Sequence, residues 1–342
     1  MCTCATGNLR HFFFISFSSG LHFLAFLIPH WKFPFAVLTK LHFYNRGPMK
    51  TMMLLILVIC SSFALAGESL FQRAYTTETV PEGHYEIEQL VRNRTQRAYG
   101  EYSALDLRSE VEYGVTDKFQ LAFYLNWEYL HAKNSPDDNY TPGDTPAGFN
   151  FDGLFVQSIA AELIYRVLSP ITDPVGLAFY YEPTLMNTDL HNGQYVVNGL
   201  ENEFRVLVQK NYLDDQLILV YNFGIEMEYF RYAGNDSPFQ GELDWNNELG
   251  GTYRFAPNWY GGLEARNHNE FGNFWHHDHC LVWVGPVIHY GGAKFWATFG
   301  VLRQIYGNPS GLDSNNSDQG PPGFFLHSHE MTETTLKVGM PF

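Results

Sequence analysis

The chain has 342 residues, a formal charge of −15, and charged and aromatic residues at 17% each. The acidic balance argues against nucleic acid as a partner, and a mean hydropathy of −0.20 excludes a bundle of membrane-spanning helices. Such averages still admit a membrane β-barrel, where outward apolar and inward polar residues alternate and cancel.

Met49 opens a secretory signal. Lys50 is its positive start, Met52 to Cys60 its apolar core, and Ala64-Leu65-Ala66 an A-x-A site before Gly67. The apolar run is too short to span a bilayer, and bulky Ile59 before Cys60 argues against lipid attachment. Residues 1–48 are rich in Phe and His, lack Asp and Glu, and read as a misassigned upstream extension; residues 49–66 are the signal. Residues 1–66 carry Arg10, Lys32, Lys40, Arg46 and Lys50 and no acid, so their loss takes the charge from −15 to −20. The exported chain keeps one cysteine, Cys280, and hence no internal disulfide framework. Residues 67–82 read as an N-terminal linker, and residues 83–342 as the folded domain.

Twelve strands are predicted by period-two alternation. The first covers Gly83 to Arg92 and the second Glu101 to Tyr113. A tight turn, Gly114 to Lys118, leads to Phe119–Tyr129, where Leu121, Phe123, Leu125, Trp127 and Tyr129 share a face. The next strands are Leu154–Leu168, Val175–Leu185 and Leu200–Gln209. Leu217–Phe230 alternates most clearly, with Asn222, Gly224, Glu226 and Glu228 opposite an apolar face. Leu243–Phe255, Trp259–Arg266, Leu281–His289 and Phe295–Tyr306 follow, with a His-rich loop expected between Arg266 and His279. Connections after even strands are tight, and most of the others are longer. The last strand, Thr332–Phe342, sets Leu336, Val338, Met340 and Phe342 on one face.

That terminal strand, with its aromatic last residue, and the alternating loop lengths resemble Gram-negative outer-membrane β-barrels, in particular porin-like outer-membrane transporters. The resemblance implies an all-β, antiparallel up-and-down transmembrane barrel with periplasmic termini, short periplasmic turns and longer outer loops. Residues 67–82 would then be a periplasmic linker. Leu336, Val338, Met340 and Phe342 would serve as the signal read by the barrel assembly machinery. Passive diffusion of small solutes is implied as the function. Outer-membrane lipid is the implied surrounding, and a homo-oligomer is left open.

Aromatics at the ends of the apolar faces, such as Tyr113, Trp127, Tyr229, Trp245 and Trp259, suit interface girdles and point those faces at lipid. The opposite faces would line the lumen. They carry Glu86, Glu88, Asp106, Glu110, Glu112, Glu128, Glu162, Glu203, Glu226, Glu228, Glu248 and Glu264, against Arg108, Arg166, Arg205, Arg254 and Arg266. Carboxylates in such excess favour cations. His276, His277 and His279, with His327 and His329 in the following long loop, are candidate metal ligands, although their spacing fits no defined zinc motif. No cofactor is expected. Catalysis is not expected either: Ser328 between two histidines and Asp278 beside His279 are the nearest approach to a hydrolase, and no G-x-S-x-G occurs.

Overall fold

The computed structural model describes residues 69–136, 148–234, 238–310 and 320–342. The upstream extension and signal expected over residues 1–66 lie outside the described residues. Twelve antiparallel strands form one closed barrel in which each strand pairs with its sequence neighbours and the last pairs with the first. They are β1 (Tyr85–Thr95), β2 (Glu101–Thr116), β3 (Phe119–Ser135), β4 (Phe149–Leu168), β5 (Gly176–Thr188) and β6 (Tyr195–Tyr212). Then come β7 (Leu217–Tyr232), β8 (Gln240–Ala256), β9 (Trp259–Gly272), β10 (His276–Gly291), β11 (Trp296–Pro309) and β12 (Thr332–Pro341).

Closure is set by β1 against β12, with Ile87 opposite Met340 and Val91 opposite Leu336. Just past that ladder Tyr85 and Phe342 exchange backbone hydrogen bonds of 3.0 and 2.9 Å, and their rings stack with centroids 5.9 Å apart. A closed ladder leaves no sheet edge unpaired, which lipid requires. The apolar faces point outward, with Phe123 59% and Leu154 62% exposed, while the acidic faces point in. Aromatic pairs ring the outside, Tyr85 with Tyr113 at the end where β1 starts and β12 finishes, and Trp245 with Phe271 at the other.

The strands outrun their predicted lengths at the loop end. A spanning strand needs about 9–11 residues, whereas β3, β4 and β6 have 17, 20 and 18. The expected His-rich loop is a correction of the same kind. β9 continues to Gly272 and β10 starts at His276, so only Asn273, Phe274 and Trp275 form the turn. On β8 and β9 the outer face carries polar residues as well. Asn247, Asn267 and Asn269 hydrogen-bond to one another there, and the apolar half of the alternation fades while pairing continues.

Candidate functional site

The segment expected to be a linker lies inside the barrel. Irregular backbone within a wall of paired strands needs side-chain partners for its N–H groups, and this wall supplies them. Glu264 on β9 accepts from the backbone of Gln72, Arg73 and Ala74 at 2.8, 2.7 and 2.7 Å. Asn222 on β7 accepts from Tyr75 N at 2.6 Å and donates to Tyr75 O at 3.0 Å. Gln209 accepts from Thr77 N at 2.7 Å, and Gln120 from Val80 N at 2.8 Å. Leu70, Phe71 and Ala74 pack on Ile218, Val220 and Val287. The Phe71 ring sits where a Cβ on Gly250 would come within 2.5 Å. Arg73 at the innermost part of the segment meets Glu333 at 2.6 Å. Residues 69–80 therefore form a floor at the turn end. Burial there pushes the Tyr75 phenol well above its ordinary range, helped by the Glu162 charge, so it stays a hydroxyl.

The loop end is narrowed by a second segment. Phe325 to Met331 are all buried. Phe325 packs on Leu281, Trp283 and Leu302, and its backbone exchanges hydrogen bonds with the Gln304 amide at 2.8 and 3.0 Å. Trp283 Nε1 donates to Glu330 O at 3.0 Å. Glu330 itself receives Arg94 at 2.9 Å and Arg97 at 3.5 Å. These two guanidiniums hold its carboxyl below the usual range, against the opposing effect of burial.

Between floor and mouth lies a chamber of about 700 Å³. Gln72, Arg73 and Tyr75 form its base, and Asp189–His191 with Pro238–Glu242 border its opening at the loop end. This volume lies in the range of small-molecule sites. Its walls hold Asp106, Arg108, Glu128, Glu203, Arg205, Glu226 and Glu228. Arg205 is committed to Glu203 at 2.7 Å and Glu248 at 2.6 Å, and Arg108 donates to Asn126 at 3.1 Å and lies over the Tyr124 ring. Glu201, Glu226 and Glu228 instead converge, each offering an oxygen within 4.8 Å of the others.

The remaining residues expected in the lumen fall elsewhere. Glu88, Glu110, Glu112 and Glu162 border a separate pocket of about 30 Å³ beneath the floor. Glu86 accepts from Trp296 Nε1 at 2.8 Å. Glu264 holds the floor, and Arg266 pairs with Glu333 at 3.3 Å. Arg166 and Arg254 sit at the turn rim and donate to the carbonyls of Asp117 and Asp214. They cap turns and do not line the chamber.

Of the candidate metal ligands, His279 and His329 meet, Nε2 to Nε2, at 2.8 Å. His276 is exposed near the β9–β10 turn, His277 bonds Ser310 Oγ at 2.6 Å, and His327 borders the chamber. Two residues outside the predicted metal set join the pair. Glu270 Oε2 lies 3.2 Å from His279 Nε2 and 3.7 Å from His329 Nε2, and His268 Nε2 lies 3.9 Å from the same oxygen. The spacing His268-x-Glu270 places both on one face of a strand and is the signal that could have found them.

Similar folds are known. The COG4313 outer membrane channel from Pseudomonas putida F1 superposes with a TM-score of 0.50 at 14% identity, over 78% of this chain and 98% of that one. LpxR from Salmonella typhimurium gives 0.40 at 8% identity over 75% and 99%, and the NanC porin 0.38 at 10% over 75% and 98%. The first of these likenesses establishes the outer-membrane β-barrel fold and nothing about cargo. No curated protein matches the chain. Residues 63–342 match the model of the Family of unknown function (DUF6662), and the chain belongs to that family.

Proposed function

We propose that this barrel sits in the bacterial outer membrane as a gated channel. It admits small cationic or neutral solutes from the loop end, and its own N-terminal segment closes the turn end. The observation that carries this reading is the chamber: about 700 Å³, open on one side, rich in carboxylates, and floored by residues 69–80. The floor is attached by hydrogen bonds and packing and by no strand pairing, so it can shift while the barrel stays closed. The reading is of transport and not of catalysis.

Charge selectivity tests it. The carboxylates Glu201, Glu226 and Glu228 lie close together in the chamber, so a passing cation would meet their combined negative charge. Under a salt gradient in a planar bilayer the open state is expected to show a cation-selective reversal potential. The double variant Glu226→Gln, Glu228→Gln is expected to lower the cation-to-anion permeability ratio several-fold. A ratio that stays unchanged in that variant would contradict the assignment of these acids.

A further inference from the structure

We infer that His268, Glu270, His279 and His329 form a binding site for a first-row transition-metal ion such as zinc, at the junction of β9, β10 and the inward-folded segment before β12. One donor atom from each residue lies within 4.8 Å of the other three. The three imidazoles are buried, and Glu270 faces the chamber. In a tetrahedral zinc site with Zn–N near 2.1 Å, neighbouring donors stand about 3.4 Å apart. Four of the six donor spacings, 2.8 to 3.9 Å, bracket that value, and the two from His268 to the other imidazoles are within 4.8 Å.

Proton counting points the same way. His268 Nδ1 lies 3.0 Å from Asn246 Oδ1, an acceptor, so Nδ1 carries a hydrogen, and in the neutral ring Nε2 keeps its lone pair. That Nε2 makes no hydrogen bond, on a residue 3% exposed, and it points at the Glu270 carboxylate. A lone pair aimed at a carboxylate repels it unless a cation lies between. His279 and His329 face each other Nε2 to Nε2 and can share one proton at most. A set of three neutral imidazoles and one carboxylate suits zinc and its first-row neighbours and not a hard alkaline-earth ion.

The surroundings have the character of an outer shell. Asn246 orients His268, and Asp244 lies 3.9 Å from the same Nδ1. Phe325 stacks on His279, and Trp283 meets the edge of His329. Such partners fix ligand rings and exclude water. The site ties the inward-folded segment to the wall, so metal occupancy would hold the loop-end mouth in its narrowed form. This inference does not rest on conduction and stands whether or not the barrel is a channel.

The test uses the exported chain in detergent, stripped by chelator and titrated with Zn(II) and separately with Co(II). One tight equivalent per chain is expected by calorimetry and elemental analysis, with the visible ligand-field bands of four-coordinate Co(II). His329→Ala and Glu270→Gln are expected to weaken binding at least tenfold, while His276→Ala and His277→Ala leave it unchanged. His329 lies outside the strands, so heat-modifiable mobility should persist in His329→Ala. Asn246→Leu, which removes only the partner of His268, provides a second variant with an expected loss of about tenfold. The inference is overturned if no tight equivalent is found, or if it survives both His329→Ala and Glu270→Gln.

Discussion

Glu264 shows how one side chain can hold a segment that forms no sheet. Its carboxylate accepts three consecutive backbone N–H groups from the floor. Replacing it by Ala leaves those donors without their acceptor, at about 1–3 kcal/mol for each one that stays buried. Amide exchange at residues 72–74 should then accelerate sharply while the strand amides of β9 stay protected. Arg94 has a comparable role at the loop end, where it meets Asp106 at 3.0 Å, Glu128 at 3.3 Å and Glu330 at 2.9 Å. Arg94→Met would strand buried carboxylates, and breaking such a network typically costs about 3–5 kcal/mol. A lower unfolding temperature should record it. Neither role was legible in the sequence. Glu264 reads there as one more lumen acid, and Arg94 lies beyond the predicted end of the first strand. What distinguishes both residues is which distant segment they face.

The two inward segments behave as separable elements. Gly250 makes room for the Phe71 ring, so Gly250→Val would collide with it. The expected outcome is displacement of residues 69–80, read as trypsin cleavage after Arg73 in a barrel that remains heat-modifiable. Acid should release the other element. Glu330 has a lowered pKa in the folded chain because Arg94 and Arg97 face it, so its contribution is complete above the ordinary glutamate value of about 4.3 and is lost as pH falls below it. Limited proteolysis of the segment before β12 should therefore rise on acidification below about pH 4. The strands themselves were legible wherever lipid enforces alternation, which is why all twelve were predicted. The inward segments were not, because hydrogen bonds to wall side chains impose no period. The extension of β9 and β10 was hidden for a related reason: Asn267, Asn269, His268 and Glu270 are polar on both faces, so the histidines read as loop. His279 and His329 were candidates from composition alone, but their partner Glu270 emerges only once β9 is continued through it.

For the whole molecule, closure and occlusion are distinct properties. Closure depends on β1 meeting β12, and the Tyr85–Phe342 exchange lies at the end of that seam. Phe342→Ala removes the stacked ring, and a smaller yield of assembled barrel in the outer membrane is expected. Occlusion depends on the N-terminal segment, which contributes nothing to the strand ladder. The most direct test of the account is single-channel conductance of two chains in planar bilayers, one beginning at Gly67 and one at Pro81, both checked for heat-modifiable mobility. The account predicts a largely silent first chain and steady cation-selective openings in the second. Equal conductance from the two, or silence from a folded chain lacking residues 67–80, would contradict it.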